Sequence, residues 1–325
     1  MEDVFPASVA QPIITTDIER ATMALRAGWP VAIPTETVYG LAADASNAEA
    51  VQRVFALKQR PSTNPLIVHL VEEGQVTEWA HTVTSLAKEL MQRFWPGPLT
   101  LVLPAKPHVS RIITAGQDTV ALRMPAHPIA QKVLTCFGRG LVAPSANRYM
   151  SISPTCAQHV VQQFPNTPLW VLDGGECEIG LESTIISVLP GEAPQLLRAG
   201  MIPHSQIESA LGTRVIGSSK QSLRVPGQAL RHYAPNTPCW CFEDITEDYL
   251  ADSQIAWLWC GEQKTTAGPS LNLGSDPYVY ARGFYAALYR LDHLGKKRLF
   301  IKCPPKQKAW AAIVDRMKRA SHPLA

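Results

Sequence analysis

Val31-Ala32-Ile33-Pro34-Thr35-Glu36-Thr37-Val38-Tyr39-Gly40 joins a short apolar run to a polar loop. Val31 to Ile33 has the length and side chains of a buried strand. Pro34 ends it, and two threonines, a glutamate and a tyrosine follow. A polar loop leaving a buried strand lies where open α/β sheets place their ligands. Its hydroxyls and carboxylate suit a small polar substrate. They equally suit a strand-to-helix turn that caps its own backbone.

The same alternation extends in both directions. Upstream, Thr16 and Glu19 have capping-box spacing, Ile18, Ala21 and Leu25 share one face, and Gly28 closes the helix. Downstream, a helix is expected from Asn47, with Val51, Val54 and Phe55 inward. Strands are expected at residues 66–70 and 99–103, separated by a helix that stops at Trp95-Pro96-Gly97-Pro98. A strand at 119–124, a helix at 129–137 and strands at 141–143, 169–172, 183–188 and 196–198 follow. Pro203 opens a helix that ends near Gly212. Some connections lack a helix, so the α/β sheet is expected to be large, twisted and mixed.

The period breaks across residues 217–238, which are rich in Ser, Gly, Pro and basic side chains. It resumes with a strand at 255–259. A helix follows on Ala281, Phe284, Tyr285, Leu288 and Leu291, closed by Gly295. A strand at 299–301 and a helix on Trp310, Ile313, Val314 and Met317 complete a small open α/β unit. The expected organisation is a catalytic domain at 1–216, a linker at 217–238 and a C-terminal domain at 239–325.

Composition agrees with two packed domains. The chain has 325 residues, 46% hydrophobic and 18% charged, with a net charge of +3. That small excess neither requires a nucleic-acid partner nor excludes an anionic substrate. The seven cysteines include no Cys-x-x-Cys pair, so reduced thiols are expected rather than a disulfide framework or a zinc site. No stretch has the ~20 apolar residues of a membrane helix. The Met-Glu-Asp opening lacks a basic start and apolar run, so the cytoplasm is the expected compartment.

The phosphate-loop, dinucleotide, nucleophile-elbow and zinc-protease signatures are absent. A nucleotide would have to be held by other means. Lys58 and Arg60 sit where a helix is stopped by Pro61. Cations are favourable there by ~0.3–1 kcal/mol in any case, yet two fixed cations also suit a triphosphate. Asn64 adds a directional amide. His69 and Arg123 end strands; a strand-end arginine can hold a carboxylate or make a weak surface pair. Ala143-Pro144-Ser145-Ala146-Asn147 and Ser153-Pro154-Thr155 are small, hydroxyl-rich segments whose backbone N–H groups could approach a phosphate; Ser153-Pro154-Thr155 equally suits ordinary N-capping of the following helix. Gly180-Leu181-Glu182-Ser183-Thr184 and Leu197-Arg198-Ala199-Gly200 complete the set.

In this order, PTETVYGL, Lys58-x-Arg60-Pro61 with NPLIVH, TVALRMP, APSAN with SPT, GLESTII and LRAG resemble the YrdC-like family of threonylcarbamoyl-AMP synthases. Pro226-Gly227 to Arg231-His232-Tyr233-Ala234-Pro235 and the helix ending at Asp292 resemble the linker and extra domain of its long form. The resemblance implies a concave ligand groove on the large sheet and a Rossmann-like C-terminal domain. It implies a nucleotidyltransferase that condenses L-threonine, bicarbonate and ATP, with Mg2+ held mainly by the ATP phosphates. A separate enzyme would then move the threonylcarbamoyl group to the adenosine beside a tRNA anticodon, so no direct nucleic-acid binding is required.

By the same resemblance, Lys58 and Arg60 are the triphosphate cations. Asn64, Thr119, Ser145, Ser153, Arg198 and Tyr233 are further ATP contacts. Thr35, Thr37, His69, Arg123, Ser183 and the Ala143 backbone form the threonine site, with Arg123 on the carboxylate. The linker is expected to cover the groove rather than serve as a passive tether. Tyr149-Met150 replaces the usual Ser-Gly, and Val225-Pro226-Gly227-Gln228 the usual Ser-Pro-Gly-Met. Competing readings are a non-catalytic RNA-binding or ribosome-associated protein of this fold, and a carbamoyl-adenylate domain of the hydrogenase-maturation type. Near-neutral charge and the missing Cys-x-x-Cys pairs disfavour them.

Overall fold

The computed structural model describes residues 10–217, 223–229 and 231–323. Short apolar runs become eleven strands of one sheet: β1 (Pro12–Thr15), β2 (Val31–Ile33), β3 (Gly40–Asp44), β4 (Ile67–His69), β5 (Leu99–Pro104), β6 (Thr119–Arg123), β7 (Leu141–Val142), β8 (Leu169–Leu172), β9 (Thr184–Ser187), β10 (Gln195–Arg198) and β11 (Ile216–Gly217). Their order is β1-β8-β2-β3-β7-β4-β6-β5-β9-β10-β11. Parallel pairs such as β4 with β6 adjoin antiparallel pairs such as β5 with β6. The sheet is mixed, as expected from connections that lack helices.

The largest difference from the sequence reading lies beside the Pro34 loop. The chain does not enter a helix there but reverses into β3, with Ile33 opposite Gly40 and Val31 opposite Ala42. Every residue of β3 is buried. Its Gly-Leu-Ala-Ala-Asp sequence has neither alternation nor a β-branched side chain, so no local signal marked it. The first helix, Ile18–Arg26, is capped by Asp17, whose carboxylate accepts from the Arg20 N–H at 2.9 Å. Thr16 is therefore not the cap. The helix Ala48–Lys58 is capped by Asn47 as expected.

A second sheet holds β12 (Cys239–Phe242), β13 (Ile255–Trp259), β14 (Ser270–Asn272), β15 (Arg298–Lys302) and β16 (His322–Pro323). Its order is β14-β13-β15-β12-β16 and every pairing is parallel. Trp257, Trp259, Phe242 and Phe300 pack together in one apolar cluster of this domain. The helix Pro277–Asp292 buries the apolar face read from its spacing; in Ala311–Ala320 Ile313 and Met317 are buried, Val314 is half-buried, and the buried Trp310 lies in the turn before the helix.

The two sheets share a core. Tyr280, Phe284, Tyr285 and Leu288 of the helix Pro277–Asp292 cluster with Val38, Ile152 and Leu181 of the first unit and Tyr233 between them. The approach is close at Gly180, where a Cβ would lie 2.6 Å from the Arg282 backbone. The segment between the sheets is pinned on both sides. The Ala234 N–H donates to Met150 O at 2.9 Å, and the His232 N–H to Arg319 O at 3.0 Å.

Candidate active site

The polar loop after β2 is built by its own hydroxyls. Thr35 Oγ1 donates to Val38 O at 2.6 Å and accepts from the Thr37 and Val38 N–H groups, both at 3.2 Å. Thr37 Oγ1 lies 2.8 Å from Thr35 Oγ1. Thr35 thus shapes the turn, and Thr37 faces the groove. Two further loops are laced to it. The Ala146 N–H donates to Tyr39 O at 2.8 Å, the Tyr39 N–H to Pro154 O at 2.9 Å, and Gly40 bridges Ser145. Segments far apart in sequence are thereby gathered at one sheet edge.

The result is a groove lined by Thr37, Arg60, His69, Arg123, Ala143, Ser145, Ser183, Arg198 and Tyr233, all singled out from sequence. Glu182, His232, Pro226 and Gly227 join them. Glu182 and His232 were not singled out as site residues. Lone acidic and linker side chains resemble solvated surface until the chain brings them together. Lys58, Asn64, Thr119, Ser153 and Thr35 do not line the groove but stand behind or beside it. Thr119 opens β6 opposite Pro104. Asn64 Nδ2 donates to Tyr149 Oη at 3.2 Å, and Ser153 Oγ to Glu182 Oε1 at 2.6 Å.

Lys58 and Arg60 part company at Gln59, the helix C-cap, which adopts φ 52 and ψ 40 in the left-handed region. Lys58 Nζ is buried and donates to Ser145 O and to Asn147 O, the latter at 2.6 Å. Burial first, and then the neighbouring Arg60 charge, pushes its ammonium well below the ordinary value. Arg60 turns into the groove, with Nη2 on Pro65 O at 2.9 Å and burial lowering its pKa to about 10.

Arg123 is held by Glu36 through Nη2 at 2.5 Å, both side chains 5% exposed, and by Gly97 O through Nε at 3.3 Å. Arg198 donates through Nε and Nη2 to Ser183 O at 3.0 and 2.9 Å, and through Nη1 to Pro226 O at 3.1 Å. Ser183 Oγ accepts from Arg198 Nη2 at 3.0 Å and lies 2.7 Å from Thr100 Oγ1.

Arg60 Nε, His69 Nδ1 and His232 Nδ1 are buried without a hydrogen-bond partner, although their side chains line the groove. Unpaired buried polar atoms are costly, so their convergence points to a polar ligand. His69 is pushed down to about 3 by burial and then the Arg123 charge. Burial, with nearby cations, lowers His232 to about 3. Both imidazoles are neutral at neutral pH.

Among the described residues, no group of three or more His, Cys, Asp and Glu is arranged to hold a metal. Both groove-side carboxylates, Glu36 and Glu182, already accept from arginines. The side chains do not fit a resident Mg2+ cage, which needs free oxygen donors.

The Tyr149-Met150 departure is accommodated. Met150 takes φ 71, where glycine would be easier, and its carbonyl still receives Ala234. Tyr149 meets His232 edge-on at 5.8 Å between ring centroids.

The Sua5, YciO and YrdC family model, described as telomere recombination, matches residues 23–200. The model of the threonylcarbamoyl-AMP synthase C-terminal domain matches residues 202–322. The chain is 44% identical to a Bacillus subtilis threonylcarbamoyl-AMP synthase, over 96% of each chain. It is 37% identical to the Pyrococcus abyssi enzyme of that name, over 91% of this chain and 92% of the relative. The crystal structure of Pyrococcus abyssi Sua5 complexed with L-threonine superposes with a TM-score of 0.87 at 34% identity, covering 98% of this chain and 100% of that one. With both domains and the fold in common, this chain belongs to the threonylcarbamoyl-AMP synthase family in its two-domain form.

Proposed function

We propose that this chain condenses L-threonine, bicarbonate and MgATP to threonylcarbamoyl-AMP and pyrophosphate. The observation that carries the proposal is the convergence of Arg60, Arg123 and Arg198 on one groove with Thr37, Ser145 and Ser183. Of the three arginines, only Arg123 has a carboxylate partner among the described residues. Arg60 and Arg198 then suit the anionic phosphate chain, and Lys58 adds charge from beneath the Ser145 loop. Arg123 presents its remaining N–H groups to the threonine carboxylate. Thr37, His69 and Ser183 seat the amino acid beside it, near the Ala143 backbone.

The unprotonated threonine amine adds to the bicarbonate carbon, and loss of water, which carries off one bicarbonate oxygen and the amine proton, leaves the carbamate. The carbamate oxygen is anionic and attacks the α-phosphorus; the α–β phosphoanhydride bond breaks and pyrophosphate leaves. A strong protein base is not needed, which agrees with the neutral His69 and His232. Alignment and charge stabilisation remain for the groove to supply. Mg2+ enters as part of the substrate, on the phosphates, where it neutralises charge on the leaving group.

Carbamates decompose in water, so exclusion of solvent matters. Pro226, Gly227, His232 and Tyr233 form one wall of the groove, which leaves only about 50 Å³ to a water-sized sphere. We propose that this strap lifts to admit ATP and closes over it. The product passes to a tRNA threonylcarbamoyl transferase, and we propose the cytoplasm, where ATP and tRNA meet, as the compartment. Among the described residues, no helix is long and apolar enough to cross a membrane.

Pyrophosphate release should require ATP, threonine and bicarbonate together. Release without threonine overturns the assignment. Protease cleavage within the strap should slow when ATP and threonine are both present; unchanged cleavage removes the lid.

A further inference from the structure

Glu182 is a buried carboxylate on a groove wall that also carries Arg60 and Arg198. Left to itself, such a carboxylate would pair with the nearest groove arginine. It does not, because donors behind the wall saturate it. Ser153 Oγ donates to Oε1 at 2.6 Å, and Tyr285 Oη reaches Oε1 and Oε2 at 3.2 and 3.1 Å. Arg316 Nε donates to Oε2 at 2.8 Å. Tyr285 and Arg316 belong to the two long helices of the C-terminal domain, 103 and 134 residues away in sequence.

Arg316 is itself rigidly placed. Its side chain is 0% exposed, Nη2 donates to Ala199 O at 3.0 Å, and Nη1 pairs with Asp315 at 2.6 Å. Its guanidinium also lies 5.3 Å from the centre of the Tyr233 ring in the strap. Burial alone would raise the Glu182 pKa. The Arg316 and Arg198 charges and the Ser153 hydrogen bond bring it to about 2, so the carboxylate is ionised and matched.

We propose that Arg316 is a positioning residue for the nucleotide: by saturating Glu182 from the C-terminal domain, it keeps the charges of Arg60 and Arg198 unpaired by any carboxylate among the described residues and so available to the phosphate chain. The inference rests on the proposed function, and it gives the second domain a direct part in the site. Without Arg316, Glu182 draws in Arg198 or Arg60, and the phosphate chain loses a cation. ATP binding should then suffer more than turnover of the bound complex.

The test compares Arg316→Met, Arg316→Lys and Arg316→Met/Glu182→Gln with the full-length parent, by calorimetric MgATP binding and by steady-state pyrophosphate release. R316M should raise Kd and KM for ATP by about 10-fold or more, with a smaller change in kcat. R316K should recover part of that loss. The double variant removes the competing carboxylate and should return ATP affinity to within about threefold of the parent. Its melting temperature should stay low, since the cross-domain bond is still missing. A purely structural bolt would leave the double variant as weak as R316M. That result, or R316M binding ATP as tightly as the parent, overturns the inference while the proposed function stands. Should R316M not fold, E182Q alone decides: retained ATP affinity supports the inference and a loss beyond about 10-fold refutes it. A parent protein that binds no MgATP overturns both.

Discussion

Three consecutive residues show how one backbone angle sorts two cations. Lys58, Gln59 and Arg60 look like a single basic cluster in the sequence, but Gln59 turns left-handed and sends its neighbours apart. Arg60 meets the groove directly. Arg60→Ala should therefore lower kcat/KM for ATP by roughly 100-fold, as removal of a preorganised charged donor does. A near-parental rate in the folded variant would show that the phosphates lie elsewhere. Lys58 makes a different prediction. Its ammonium is held down by burial and by the Arg60 charge, and an anionic ligand must raise its pKa again. MgATP binding should thus take up protons at a pH between the free and bound values. The binding enthalpy should then vary with the ionisation enthalpy of the buffer at pH values below the ordinary lysine pKa. An enthalpy independent of buffer throughout would place the phosphates out of reach of Lys58.

At the scale of elements, the strap has no regular secondary structure at Gly227 or Tyr233, yet its packing there is close. Gly227 has φ +85, and a Cβ there would lie 2.2 Å from Tyr233 Oη. Gly227→Ala should cost about 1–3 kcal/mol and displace Tyr233 from the groove. Chemical denaturation would measure the first effect, and faster strap proteolysis would report the second. Parental stability and cleavage would mean that the strap is not held as described. The regular elements were readable because their signals are local. Asn47 caps its helix, Gly212 ends another, and the runs at 169–172 and 255–259 are strands of those same bounds. β3 was not readable, because its small buried residues are placed by β2 and β7 on either side rather than by their own pattern.

At the scale of the whole molecule, buried histidines govern stability toward acid. Burial lowers His69 to about 3, His232 to about 3 and His159 to about 4. Below about pH 6.5 the unfolded chain takes protons at these sites that the folded protein refuses. Stability should therefore be full above that pH and fall steadily as pH drops toward the folded values. Glu182, at about 2, resists protonation until far lower pH. His159 stacks on Tyr289 with ring centroids 3.9 Å apart. His159→Gln should flatten part of the acid slope in denaturant midpoints measured between about pH 7 and about pH 4.5. An unchanged slope would show that His159 is not among the residues responsible.

The sequence by itself determined the local elements, the α/β character and the ordered motifs at strand ends, since capping, periodicity and chain breakers act within a few residues. Only the tertiary structure decided which strands lie side by side, where the Lys58 and Arg60 charges point, and that Glu182 is answered by Arg316 and Tyr285 from another domain. Those outcomes depend on contacts between residues from a few to more than a hundred positions apart, such as Arg60 with Pro65, Lys58 with Asn147 and Glu182 with Arg316, and on the need to match a charge removed from water. Neither leaves a mark on the neighbouring sequence.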